Sequence, residues 1–304
     1  MNDWQEVIQL YATPELQRPY LVAGWSGMGA VALLAVNFLR QELGAALLGE
    51  IDPCAFFSPS QVRISDRLLQ APEFPENRFY FWQQGGAPHD LLFFVGTEQP
   101  SQGYQMALLI LDLAEQFGVE RIYTAAAFPT LLHHRQEPGV WGTATHADLL
   151  AEMEAYDVRI MDQGTIGGLN GLLLAAGKER ELEGLCLLGE IPIYATQMIN
   201  PKASSVVLKV LTQMLGAEIN LTKLALWADD LTPQMDRLYN LLPAHAKEAI
   251  EGAEDTEASP PPPALGTGEE LVADEAFFDD IERFLQQHWR TKDDEDEDED
   301  NPPS

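Results

Sequence analysis

Two cysteines in 304 residues are too few to build a disulfide framework. Both, Cys54 and Cys186, lie inside apolar runs and are read as buried, reduced thiols, which fits a reducing cytosol. Basic charge is scarce as well: 18 Lys and Arg stand against 48 Asp and Glu, a formal net charge of -30. A surface of that sign repels phosphate backbones, so no nucleic-acid partner is expected. No apolar run reaches the ~18–20 residues that a membrane-spanning helix needs. The opening Met1-Asn2-Asp3-Trp4 carries no basic region followed by an apolar core, so no secretory signal is read there. The expected location is cytoplasmic, with no membrane partner.

Catalytic signatures are missing too. Ser26 is not flanked as a nucleophile elbow requires, and no loop carries the Lys-Ser/Thr pair of a P-loop. His133 and His134, adjacent at a strand end, are expected to point to opposite sides. No carboxylate nearby completes a metal set with them and His146. The sequence therefore assigns no catalytic residue, no metal and no cofactor, and the reading leans away from an enzyme.

What is present is a core and a pattern. Apolar residues make up 46% of the chain, enough for a sizeable folded domain. The acidity is uneven: Glu251 to Asp300 hold 19 acidic and 3 basic residues, so the body before them is only mildly acidic. Five times an apolar run of strand length stops at a Gly- or Pro-bearing loop and a helix-like stretch follows. The clearest runs from Tyr20 to Arg40, and the arrangement recurs at Leu91 to Pro100, Ile122 to Arg135, Val158 to Gly168 and Leu185 to Tyr194. Repeated strand–loop–helix units predict an α/β fold with a mostly parallel sheet, whose ligands sit at the carboxyl ends of the strands.

The first helix is expected from about Met28 to a glycine cap at Gly44. It is apolar almost all round over Ala30 to Leu39, and so is buried on more than one side, by its own domain or a neighbouring subunit. An antiparallel excursion is expected within 57–84. Thr145 is read as a helix N-cap, and Asn200-Pro201 as a sharp helix start. That helix should wet Lys202, Ser205, Lys209, Thr212 and Gln213. The next, 220–242, should be interrupted near Pro233. The chain divides into a domain over 1–250, a Pro-rich acidic linker over 251–270, an amphipathic helix over 271–291 and a solvated acidic tail over 292–304. Phe277, Phe278, Ile281, Phe284 and Leu285 line one face of that last helix, a stripe that must dock on the body or on another chain.

Candidate binding residues come from the loops. Gly24-Trp-Ser26-Gly27-Met-Gly29 has the strand–Gly-loop–helix arrangement that cradles anions, though its glycine spacing is not that of the dinucleotide fingerprint. Gly164, Gly167 and Gly168 repeat the device later. In both places, glycines that merely permit a tight turn and close packing are the preferred reading, with anion or small-ligand binding as the alternative. Arg135 stands at a strand end in a binding or structural role. Glu98 and Glu190, at two further strand ends, suit acid–base work or the capping of helix dipoles.

Taken in order, these segments resemble the proteasome assembly chaperone 2 family. The matching pieces are Gly24–Gly29 with its helix, Gly96-Thr-Glu98-Gln-Pro100, His133-His134-Arg135, Gly164–Gly168, Ile191-Pro-Ile-Tyr194 and the last helix. The resemblance implies a three-layer α/β/α domain, similar to the phosphorylase/hydrolase-like fold and often homo-oligomeric. It implies a role as an assembly-chaperone-like interaction module for proteasome-type or other multisubunit complexes. The alternative it leaves is a binder or enzyme holding an anionic or nucleoside-like ligand over the Gly-rich loops. Two departures stand out. This sequence closes on Asp-Asn-Pro-Pro-Ser rather than a hydrophobic–tyrosine–any-residue tail, and Gln163-Gly-Thr-Ile-Gly replaces a Gly-Pro-Thr-Gly turn.

Overall fold

A computed structural model describes residues 6–58, 62–65, 67–83, 89–97 and 100–253. Along the chain run β1 (Ile8–Leu10), β2 (Tyr20–Trp25), α1 (Val31–Glu42), β3 (Ala46–Ile51), β4 (Ile64–Ser65), β5 (Leu68–Leu69), β6 (Asn77–Trp82) and β7 (Leu91–Gly96). There follow α2 (Gly103–Gln116), β8 (Arg121–Thr130), β9 (Val140–Ala144), α3 (Ala147–Glu154), β10 (Arg159–Ile160), α4 (Gly168–Glu179) and β11 (Glu183–Pro192). Helices α5 (Pro201–Leu215), α6 (Thr222–Leu241) and α7 (Ala244–Ala253) close the described chain.

Nine strands form one sheet in the order β1-β3-β6-β7-β2-β8-β11-β9-β10. The expected parallel sheet is its centre, β7-β2-β8-β11, where Tyr20 lies level with Leu91 on one side and Arg121 on the other. Antiparallel pairings join the margins to it: β6 beside β7, and β9 beside β11. Alternation along the central strands sends side chains to two cores. Val22, Phe93, Tyr123, Leu185 and Leu187 face a layer that includes α1, α5 and part of α6. Leu21, Trp25, Phe94, Ile122, Cys186 and Leu188 face α2 and α4. Because both faces are covered, the central strands read as continuous apolar runs. This is the three-layer α/β/α arrangement.

Several local expectations change. No helix follows β8. Residues 131–139, which include Pro138, form a loop, and β9 comes next, pairing antiparallel with β11 and covering its edge. Cys186 is buried, and burial pushes its thiol up to about 12, but Cys54 is exposed. Thr145 does not cap α3. Its Oγ1 accepts from the Gly184 N–H at 2.8 Å, so it ties the helix entry to β11, and His146 occupies the cap position. Thr212 is buried instead of wet, its hydroxyl donating to the Leu208 carbonyl at 2.8 Å. Pro233 does not interrupt α6. Both it and Asp229, whose carbonyl it leaves without an N–H partner, are exposed to water. The excursion within 57–84 is antiparallel as expected. β6 joins the main sheet, and β4 and β5 pair as a separate short hairpin. Helix α7 takes in Glu251 to Ala253, the first residues of the linker expected over 251–270; the rest of that linker, the last helix and the acidic tail lie outside the described residues.

Helix α1 settles one expectation about partners. Every residue from Ala30 to Leu39 is buried, packed between the sheet and α5. Its all-round apolarity is satisfied within the domain, so this face is not offered to another subunit.

Candidate functional site

At the carboxyl ends of the parallel strands, two regions differ in kind. Over β2 lies the Gly-rich loop. Gly24, Ser26 and Gly29 are buried, while Gly27 and Met28 are exposed. Gly24 is required by packing: a Cβ there would stand 2.8 Å from the Ala32 carbonyl oxygen and from the Val36 side chain. Gly29 adopts the left-handed backbone, φ 62°, and a Cβ there would stand 3.3 Å from Asn200. The loop's amides are engaged by protein carbonyls. Ser26 N–H donates to Gly96, Gly29 N–H to Thr196 at 2.9 Å and Ala30 N–H to Gly27 at 2.9 Å. Asn200 N–H in turn donates to the Gly29 carbonyl at 2.8 Å. The loop therefore clasps the segment leading into α5, and these three N–H groups do not point at a ligand. Gly164, Gly167 and Gly168 are exposed ahead of α4, on the opposite face of the sheet, and are not brought to the first loop. Glu98 lies outside the described residues.

Over β8 and β11 lies a polar network. Glu190, near the end of β11, is buried with 6% of its side chain exposed. Its carboxylate accepts from the Trp141 indole N–H and from the Gly139 backbone N–H, both at 2.8 Å, and Arg159 approaches to 3.5 Å. Glu190 is therefore neither a surface cap nor a helix-dipole partner. It joins the β8–β9 loop to β11, and its charge is matched by donors as burial requires.

Beside it, His134 is 1% exposed at the side chain and bridges two distant elements. Nε2 meets Asp236 Oδ1 of α6 at 2.9 Å and Nδ1 meets the Tyr194 hydroxyl at 2.7 Å. The His134 backbone N–H donates to the same hydroxyl at 3.0 Å. With Asp236 ionised, the consistent assignment puts the proton on Nε2, and Tyr194 donates to Nδ1. Burial holds His134 below the usual histidine range, and the adjacent His133 and Arg135 act in the same direction. Hydrogen bonds from Arg135 and then His134 hold Asp236 below the usual carboxylate range. Burial also pushes Tyr194 up to about 12, so it remains a phenol. The two histidine rings stack at 4.4 Å rather than diverging, because 131–139 is a loop without the alternation of a strand, and Tyr239 of α6 packs on His133 edge-on.

Arg135 grips Asp236 through Nε at 3.1 Å and Nη2 at 2.7 Å. Lys202, in the first turn of α5, donates to the Arg135 carbonyl at 3.2 Å and to that of Gln136. Between this loop, α5 and α6 runs an open groove of about 400 Å³, lined by His134, Arg135, Lys202, Ser205, Ala228 and Thr232, among others. The neighbouring cavity that Glu190 lines, about 20 Å³, is too small for an organic ligand. Among the described residues no group of His, Cys, Asp or Glu is arranged to hold a metal.

Of the residues expected at a site, Glu190 and Arg135 come to this network. Gly29 reaches its border through Asn200, and the Gly164–Gly168 loop stays apart. Nothing in the sequence singled out Asp236, one of three acids on the amphipathic helix α6, about a hundred residues downstream. Trp141 and Lys202 were equally unmarked. Tyr194 stood in a segment already noted for its pattern.

A three-layer α/β/α domain with this loop arrangement defines a class, and sequence places the chain within it. Residues 21–239 match the PAC2 family, and the chain belongs to it. Among solved structures it resembles PbaB of Pyrococcus furiosus, an archaeal proteasome activator. The TM-score is 0.65 at 29% identity, covering 76% of this chain and 97% of that one. PbaA of the same organism, an archaeal homologue of proteasome-assembly chaperone, shares the fold. Its TM-score is 0.60 at 24% identity, over 82% of this chain and 98% of that one. An uncharacterised protein of Methanocaldococcus jannaschii is 27% identical over 213 residues, 69% of this chain and 78% of the relative.

Proposed function

We propose that this protein is an assembly-chaperone-like interaction module that binds subunits of a proteasome-type or other multisubunit complex. The observation that carries the reading is the surface over the parallel strand ends. Met28, Leu131 and Ile193 follow the adjacent strands β2, β8 and β11 and are 39%, 42% and 43% exposed. Exposed apolar side chains grouped on interlocked loops suit a protein partner better than a small molecule. Membership of the PAC2 family and the likeness to PbaB support the same reading. It includes self-association into a homo-oligomer and a cytoplasmic location. No helix among the described residues is long and apolar enough to cross a membrane.

The experiment is affinity capture from the native host with the tagged chain and with a Met28→Asp/Ile193→Asp variant, read by mass spectrometry. The expected result is enrichment of subunits of one defined complex, lost in the variant. Equal capture by both proteins, or recovery of the bait alone, overturns the reading.

A small-molecule or phosphorylase-like role has one observation in its favour, the 400 Å³ groove at Arg135 and Lys202. Both cations are already engaged, Arg135 by Asp236 and Lys202 by backbone carbonyls, which weakens the case for an anionic ligand. A thermal-shift screen of nucleotides against wild type and Arg135→Ala tests it, and a shift seen only in wild type would favour this second reading.

A further inference from the structure

The cavity of about 20 Å³ beside Glu190 is walled by the β8–β9 loop, the end of β11, the start of α5 and one side of α6. Most of its polar lining is committed elsewhere. His134 engages Tyr194 and Asp236 with its two ring nitrogens, and Lys202 Nζ donates to the Arg135 and Gln136 carbonyls. Thr232 donates to the Ala228 carbonyl, and Gln136, only half-buried, accepts from the His133 N–H. Asn200 and Glu190 are different. Asn200 is buried and caps α5 with Oδ1, which accepts from Ala203 N–H at 3.0 Å, and that bond fixes which end of the amide is Nδ2. Among the described residues, Nδ2 donates to no protein group. Glu190 Oε2 receives one N–H, from Gly139, and keeps a lone pair.

A buried amide donor without an acceptor, and a buried carboxylate with capacity to spare, need a molecule that accepts from one and donates to the other. A cation would serve Glu190 but has no lone pair for Asn200. Glu190 also needs no cation, because Trp141, Gly139 and Arg159 already surround its charge. A water needs about 10–15 Å³ and two to four polar partners, and this cavity offers both. We propose that the cavity is a binding site for one water molecule, which accepts from Asn200 Nδ2 and donates to Glu190. The water then joins the two halves of the strand-end surface. On one side of it the Asn200 N–H holds the Gly29 carbonyl of the glycine loop at 2.8 Å. On the other, Glu190 holds the β8–β9 loop through Gly139. This site needs no partner protein and stands apart from the proposed function.

A high-resolution crystal structure of the full chain tests this. The expected result is a single density peak within about 3.2 Å of both Asn200 Nδ2 and a Glu190 carboxylate oxygen. An empty cavity overturns the proposal, and so does a direct bond between those two side chains. In solution, the Asn200 side-chain amide protons should show cross-relaxation to water with the sign of a molecule that tumbles with the protein. Resolved amide resonances without that signal also overturn it. Asn200→Asp separates this role from capping. It keeps the oxygen that Ala203 N–H needs and suits the helix dipole, so a cap alone would leave the urea midpoint unchanged or raise it. Here it replaces the donor by a second carboxylate facing Glu190 across the same water, and the midpoint is expected to fall by about 0.5 M or more. An unchanged midpoint overturns the proposal, because the amide donor would then be idle.

Discussion

The two halves of the strand-end surface teach opposite lessons about glycine and charge. Over β2, the motif that looks most like a ligand cradle is filled by its own protein. Its amides meet carbonyls of neighbouring loops, and its glycines mark where backbones pass within contact distance. Over β8 and β11, a stretch with little pattern joins His134, Tyr194 and Asp236 by hydrogen bonds beside an open groove, while Glu190 close by holds Gly139 and Trp141. The first region is a structural clasp. The second ties together three chain segments that sequence separates widely, and so it controls the shape of the surface a partner would meet.

Substitutions can break this contrast, and the largest effect should come from the clasp. Gly24→Val places side-chain atoms where a Cβ alone already stands 2.8 Å from the Ala32 carbonyl oxygen, a backbone atom that cannot step aside. A loss of about 3 kcal/mol or more is expected, read as a fall in the urea midpoint or failure to accumulate as folded protein. Wild-type stability in that variant would mean α1 is free to move away from β2.

Glu190→Ala comes next. It leaves the Trp141 indole N–H and the Gly139 N–H without their acceptor in a buried site, which should cost about 2–4 kcal/mol. Glu190→Gln keeps an acceptor oxygen and should recover much of that. Equal losses for the two would show that the negative charge, rather than hydrogen bonding, is what the site needs.

The His134 network should yield a smaller, pH-dependent effect. Burial lowers the folded-state pKa of His134 below its unfolded value of about 6.5, so the unfolded chain binds the proton first as pH falls. The contribution is therefore fully present above about pH 6.5 and is lost as pH drops through the lower folded value. Asp236 adds a second acid-side loss, because its folded pKa is also lowered and protonation below about pH 3.8 favours the unfolded state. Melting curves between pH 5 and 8 should show a declining midpoint toward pH 5 in wild type and a flatter profile in His134→Gln. An unchanged slope would remove His134 from the linkage.

The smallest effect sharpens the comparison within the glycine loop itself. Nothing lies within 4 Å of a Cβ added at Gly27, and its backbone is extended, so Gly27→Ala should change stability by less than about 0.5 kcal/mol. Neighbouring glycines of one motif, Gly24 and Gly27, should thus differ severalfold in cost. Equal costs would mean that the loop's function lies in its flexibility and not in close approach.

How much of this could be read from the residues varies by region. The central strands announced themselves as continuous apolar runs because both of their faces are buried. The helix start at Asn200-Pro201 was equally legible, and the Asn200 side chain accepts from Ala203 N–H at 3.0 Å as the capping chemistry requires. β9 was not legible: its five residues take their identity from the open edge of β11, which no local pattern encodes. Thr145 failed as a cap for a similar reason, since an amide from a strand 39 residues away competes for its hydroxyl.

Sequence alone determined the mostly parallel α/β plan and the position of the loops at one end of the sheet, and the resemblance of its loops to a known family implied the three layers. The plan and the loop positions follow from periodicity, glycine and proline chemistry, and the covering of both sheet faces, all of which act over a few residues. Tertiary structure alone decided which loop is solid and which is open. Hydrogen bonds such as His134 to Asp236 and Gly29 to Thr196 join residues about 100 and 170 positions apart. The energy of such a bond depends on burial and geometry that exist only once the chain has closed on itself.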